Sequence, residues 1–206
     1  MKLRPVTAAL TVVLACAGLT ACSSKVGVAA VVGGHRITES TVSGYVAPAG
    51  PTVASTSPAA SSVPPKVQIL ETLIQNDIFM AALAFTTGGA PDAAVLAQAH
   101  DAAVENVLEL QSGGAAADKS LNTELVSLGY KPGFTAIVVR SAELQYLLIT
   151  RIKATTSAQV HAAILRAHQS VQVSQRYGTW DPTTLAITTT NGAGLPSFVK
   201  LNPLSK

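Results

Sequence analysis

Charge and aromatic rings are both scarce in this chain. Of its 206 residues 12% are charged and 4% aromatic, with one Trp and two Cys. So little charge provides no basic stripe for a phosphate backbone, and nucleic acid is not an expected partner. Neither cysteine can serve the folded body: Cys16 lies inside an apolar N-terminal segment and Cys22 closes it. Once that segment is processed, no thiol remains for a disulfide, a metal site or a nucleophile. Phosphate-cradling spacings are missing too. No Gly-x-Gly-x-x-Gly and no Gly-Lys-Ser/Thr occurs, so Gly88-Gly89 and Gly113-Gly114 read as helix stops. There is no Gly-x-Ser-x-Gly elbow for a hydrolase. Glu105 and Glu109, one helical turn apart, read as a solvated face, and Asp77 stands alone. His161 and His168 are seven residues apart on one helical face, with His100 beside Asp101 on another. Zinc would need a further ligand three or four residues from one of them; none is present, so they read as solvent-facing or core histidines. The chain is expected to be neither an enzyme nor a holder of a metal or small-molecule cofactor.

What is present starts with an address. Lys2 and Arg4 form a basic start, Val6 to Leu19 is almost wholly apolar, and Leu19-Thr20-Ala21-Cys22 follows. The apolar stretch is short for a finished transmembrane helix and reads as a signal peptide over residues 1–21. A Leu three residues before a Cys, with small residues between, is the pattern of bacterial lipoprotein processing, which would acylate Cys22 and make it the first residue. Removing Lys2 and Arg4 with no acidic residue lowers the formal charge from +3 to +1. Two acyl chains, at about 0.8 kcal/mol per buried methylene, would then hold the protein to the membrane without help from charge. Residues 22–27 form a short tether, reaching some 20 Å at about 3.5 Å per residue, so the body over residues 28–190 is expected close to the membrane on its extracytoplasmic face.

Along that body the apolar pattern is mostly helical. Val26 to Val32, ended by Gly33-Gly34, reads as a strand and turn, and Thr38 as the N-cap of a short helix through Val42 to Tyr45. Residues 46–65 carry five prolines among Ala, Ser and Thr, which excludes a helix or regular strand and predicts a disordered or extended loop open to glycosylation. Lys66 to Thr87 has apolar residues at Val67, Leu70, Ile74, Ile78 and Leu83, widened by Ile69, Leu73 and Phe79. So wide a stripe predicts a central helix buried on two sides. Pro91-Asp92 opens a helix to about Gln111, with Val95, Leu96, Ala99, Ala103, Val107 and Leu110 inward. Leu121 to Leu128, then Phe134 to Ile152, then a helix capped by Thr155, Thr156 or Ser157 complete the helical middle. Ser170 to Gln175 and Leu185 to Thr190 read as strands, and residues 191–206 as a flexible tail.

Three segments resemble one family. Ala29-Ala30-Val31-Val32-Gly33-Gly34-His35-Arg36-Ile37-Thr38 looks like its opening strand, turn and helix cap. Ile69-Leu70-Glu71-Thr72-Leu73-Ile74 is similar to the Leu-x-x-Leu-Ile segment of its central helix. Val171 through Arg176-Tyr177-Gly178-Thr179-Trp180-Asp181 looks like a strand ending in Pro-Arg-Tyr-Gly-x-Trp-Asp, with Gln175 in the place of Pro. On these residues the chain resembles the N-terminal domain of SurA-type periplasmic chaperones and foldases, in the lipoprotein form found in actinobacteria. That resemblance implies a mainly α fold closed by a small sheet joining the first strand to the C-terminal ones, with an apolar surface for unfolded or extended polypeptide. The foldases add a parvulin domain, whereas only 28 residues follow Gly178, so no isomerase activity is expected. The implied function is a lipid-anchored polypeptide holdase, the rival a non-catalytic envelope lipoprotein with one dedicated partner.

Candidate binding residues are the apolar excess of the helices, Leu73, Phe79, Phe85, Phe134, Tyr146 and Leu147, together with Arg176, Tyr177 and Trp180. The helical residues serve either the core or an exposed patch. The last three either stack on a peptide or close the edge of the sheet.

Overall fold

A computed structural model of the chain describes residues 27–48, 65–110, 114–167 and 169–188. The proposed signal peptide, Cys22, most of the proline-rich segment and the C-terminal tail lie outside the described residues. The fold is mainly helical with small antiparallel sheets. In chain order it runs β1 (Val28–Val32), β2 (His35–Thr38), α1 (Glu39–Gly44), α2 (Pro65–Thr87), α3 (Ala93–Asn106), α4 (Gly114–Ser127), α5 (Gly133–Ile152), α6 (Ser157–Arg166), β3 (Val171–Val173), β4 (Thr179–Asp181) and β5 (Ala186–Thr188).

α2 is central, as its wide apolar stripe predicts. It packs against α5, α6 and α1 and against β1, β2 and β5. Ile69, Leu70, Ile74, Phe79 and Ala82 are buried along its length. Among the described residues it is the helix long and apolar enough to cross a membrane, and just over half of that stretch is buried within the fold. Pro65 opens it rather than ending the preceding loop, since a first-turn residue needs no N–H for the helical ladder. α5 forms the second layer, with α2 on one side and α3 and α4 on the other.

Local signals account for several boundaries. Thr38 caps α1 by accepting from the Thr41 N–H, and Asp92 caps α3 by accepting from the Val95 N–H. Thr156 and Gln159 form a reciprocal capping box at α6. Two boundaries differ from the sequence pattern. α3 stops at Asn106 rather than Gln111: beyond it Val107, Leu108 and Leu110 pack on the core in irregular backbone that passes through Glu109 in the left-handed region at φ 55°. Gly114 begins α4 instead of ending α3, so α4 is a turn or more longer than its apolar residues suggested. Val95, expected inward, is exposed on the first turn of α3 while Leu96, Ala99 and Ala103 carry the buried stripe.

β1 lies between β2 and β3, antiparallel to both, with Val31 opposite Arg36 on one side and Gln172 on the other. The first strand thus meets a C-terminal one, as the resemblance implied. β4 and β5 depart from it by pairing only with each other, Trp180 opposite Ile187. β2 and β4 were not legible as strands, being short and mostly polar at their exposed positions.

The turn from β3 to β4 depends on Gly178, whose φ is 123°. A Cβ there would run into the Thr188 carbonyl across the hairpin. Gly178→Ala is expected to destabilise the fold by about 1–3 kcal/mol, read as a lowered midpoint in thermal unfolding; an unchanged midpoint would show that the β4–β5 hairpin adds nothing to global stability.

Candidate functional site

The proposed binding residues do not gather into one patch. Phe79 and Phe134 are 1% and 0% exposed, so neither can present a ring to a ligand. Phe134 stacks on Tyr130 with ring centroids 4.7 Å apart and meets Tyr45 at 6.0 Å. Leu73, Tyr146 and Leu147 are partly buried against the core, and only Phe85, 62% exposed, stands clear. Of the C-terminal group, Tyr177 is buried and donates its hydroxyl to Glu39 Oε2 at 2.6 Å, while Arg176 Nε reaches Glu39 Oε1 at 3.2 Å. Burial and that bond push the Tyr177 hydroxyl well above its usual pKa. These two residues tie the C-terminal turn to the start of α1. Trp180 is partly buried and faces a groove.

That groove, about 320 Å³, opens between α2, α6, β3 and the β4–β5 hairpin. Ile78, Ile164, Leu165, Val171, Trp180 and Leu185 give it an apolar lining, with Gln169 and Ser170 at one end. Leu165 is half exposed. Phe85 is seven residues beyond Ile78 on α2, hence two turns along the same helical face. Apart from Trp180, none of the six lining residues was singled out from sequence. Leu165 is the one that could have been, as an apolar residue beside the buried Val160, Ala163 and Ile164 of α6.

Both helices bordering the groove hold the hairpin. Glu71 Oε2 accepts from the Ile187 N–H at 3.3 Å and Gln75 Nε2 donates to the Leu185 carbonyl at 3.0 Å. From α6, His161 Nε2 donates to the Pro182 carbonyl at 2.6 Å. Asp181 ties the turn by accepting from the Thr183 N–H at 2.8 Å and the Thr184 hydroxyl at 3.0 Å. These bonds hold its carboxyl below the usual range. Glu71 is 3% exposed, and burial pushes its carboxyl up to about 7, against the bond from Ile187.

A second polar cluster lies on the other side of α5. His100 Nδ1 is 3.0 Å from Glu143 Oε1 and its Nε2 is 3.4 Å from Asp118 Oδ2, so one imidazole spans α3, α4 and α5. The Glu143 bond is the main reason its pKa is raised, with Asp118 and Asp101 adding to it. Both ring nitrogens face carboxylates, as a protonated imidazole requires. His161 faces a carbonyl, and His168 lies outside the described residues. Among the described residues no three His, Cys, Asp or Glu side chains are placed so as to hold a metal ion. Asp77, read as solitary, pairs with His35 at 2.7 Å and ties β2 to α2. Glu105 and Glu109 are exposed, as expected.

The fold and groove together define a mainly helical domain closed by a small antiparallel sheet, with an apolar cleft beside that sheet. Compared with known protein families, curated proteins and solved structures, the chain matches none.

The raised Glu71 carboxyl has a definite sign for stability. Between pH 4.5 and about 7 the folded chain holds a proton that the unfolded chain has released, so stability falls as pH rises through that window. At 1.36 kcal/mol per unit the loss is about 3 kcal/mol. His100 acts in the same direction, because its raised pKa adds stability below 6.5 that is lost as pH rises through the folded value. Denaturant unfolding from pH 4.5 to 8 should show this decline. Glu71→Gln, which keeps an acceptor for Ile187, should remove most of it and raise stability at pH 8; an unchanged pH profile would mean that water reaches the carboxylate.

Proposed function

We propose that this chain is a lipid-anchored, extracytoplasmic, chaperone-like protein of the SurA type that binds non-native or extended polypeptides and catalyses no reaction. The observation that carries the proposal is the apolar groove beside the small sheet. A cleft lined by Ile78, Ile164, Leu165 and Trp180 suits apolar side chains of an extended segment, and contacts of this kind tolerate many sequences. Exposed Phe85 on the same face of α2 lengthens the apolar track. The lipid anchor rests on Leu19-Thr20-Ala21-Cys22, and the short tether would keep the groove near nascent envelope proteins leaving the membrane.

The chain from Ser23 onward retains every described element and is the natural test protein. At rising molar ratios it should suppress aggregation of several unrelated denatured clients. Leu165→Glu, a change at a half-exposed position, should weaken that protection severalfold without altering the helical circular dichroism. Charges at Phe79 or Phe134 should instead unfold the core. If the folded chain protects no client, general holding is ruled out and one dedicated envelope partner becomes the reading.

Anchoring has its own test. The full chain should incorporate radiolabelled palmitate and sediment with membranes, and Cys22→Ala should abolish the labelling. Persistent labelling in that variant would exclude Cys22 as the lipid site.

A further inference from the structure

Among the described residues, the main chain beside the groove has a specific hydrogen-bonding deficit. On the β1 side, Gly33 N–H donates to the Ser170 carbonyl and Ser174 N–H to the Ala29 carbonyl, both at 2.9 Å. With Val31 opposite Gln172, the residues of β3 that bond to β1 are Ser170, Gln172 and Ser174. In an antiparallel ladder the alternate residues point their groups the other way. Val171 and Val173 therefore direct N–H and C=O away from β1, and no described residue takes them. β4 shows the same on its side. The Ile187 N–H goes to Glu71 rather than to β4, so Trp180 opposite it also turns its N–H and C=O outward. β3 and β4 lie near each other on either side of a common turn without a ladder between them, and Val171 and Trp180 both line the groove. Val171 and Val173 also turn their side chains to the core, so a strand added beside β3 would aim alternate side chains into the groove.

We propose that an extended polypeptide segment binds here by strand addition, hydrogen-bonding through its main chain to the free edge of β3 at Val171 and placing alternate apolar side chains against Leu165, Ile164 and Trp180. This rests on the polypeptide-binding function above and specifies how the segment is held. The occupant follows from the groups left open: a row of main-chain donors and acceptors beside an apolar cleft fits an extended chain, whereas a helix or a lipid tail has no free main-chain groups to offer. Sequence tolerance follows too, because the main-chain bonds are common to all sequences and only alternate positions need be apolar.

The test uses the chain from Ser23 onward and a short fluorescein-labelled peptide alternating valine and threonine between lysines. Binding is read by anisotropy and by the emission of Trp180, the single Trp of the chain. N-methylation then removes amide hydrogens from alternate residues, in one set or the other, without reducing apolar area. Methylating one set should weaken binding about thirtyfold, for two hydrogen bonds of about 1 kcal/mol each, while the other set binds within about twofold of the parent. If neither set changes the affinity, strand addition is overturned and the groove holds side chains alone, with polypeptide binding intact. If clients are protected but the peptide leaves Trp180 and the anisotropy unchanged, the β3 edge is not the site. Peptide-independent dimerisation in sedimentation, with no peptide uptake, would assign the edge to a second copy and also overturn the proposal. Failure of both peptide binding and client protection removes the function together with its mechanism.

Discussion

The polar seam along α2 is the constraint on which the other contacts depend. Gln68, Glu71, Thr72 and Gln75 are all buried in the most central helix of the fold. Each finds a partner that fixes a distant segment or the helix itself. The Tyr130 hydroxyl donates to Gln68 and so brings the link between α4 and α5 onto α2. Glu71 and Gln75 take the main chain of the C-terminal hairpin. Thr72 returns its hydroxyl to the Gln68 carbonyl. Apolar packing supplies most of the free energy but little direction, whereas a buried polar atom that misses its partner costs about 1–3 kcal/mol. The seam therefore selects one docking arrangement among many that would bury similar area.

The C-terminal third is secured at more than one level. β3 extends the sheet begun by β1 and β2, the turn after it is held to α1 through Glu39, and the β4–β5 hairpin leans on α2 and α6. The two sheets remain separate: β3 pairs with β1 and β4 with β5, and among the described residues the outward main-chain groups of Val171 meet no partner. That separation creates the groove and is also the basis of the proposed strand addition. In this arrangement a structural economy in one hairpin leaves an unfinished sheet beside it, and the proposed ligand is the piece that would complete it. The burial that raises the Glu71 carboxyl to about 7 places the anchor of that hairpin within the range of ordinary environmental pH.

Legibility in the sequence followed the kind of signal. Long helices were legible because 3.6-residue periodicity accumulates over many turns, as in α2 and α5. A cap was legible at Thr38, a helix start at Pro91-Asp92, and three candidate caps at Thr155, Thr156 and Ser157, of which Thr156 serves. Short strands such as β2 and β4 offered three or four residues and no lasting alternation. Glycine pairs were ambiguous, since Gly88 ends α2 while Gly114 starts α4. The sharpest mismatch concerns polarity. Gln68, Glu71 and Gln75 are spaced like a solvated helical stripe, and only their partners from Tyr130, Leu185 and Ile187 make burial tolerable. Aromatic residues misled in the opposite direction, because Phe79, Phe134 and Tyr177, the rings most suited to recognition, are held inside.

From the sequence alone came the helical class, the positions of α2 and α5, several helix starts, strands at both ends of the body and the expectation of a lipid anchor. Each depends on neighbours in the chain or on a pattern long enough to outweigh local exceptions. The tertiary structure alone decided which apolar residues face the groove, that a carboxylate is buried at the centre, that His100 bridges three helices, and that β3 and β4 stay unpaired. Those outcomes depend on contacts between residues as far apart as Glu71 and Ile187 or Glu39 and Tyr177. Periodicity says which side of an element is apolar; only the assembled fold says what stands opposite it.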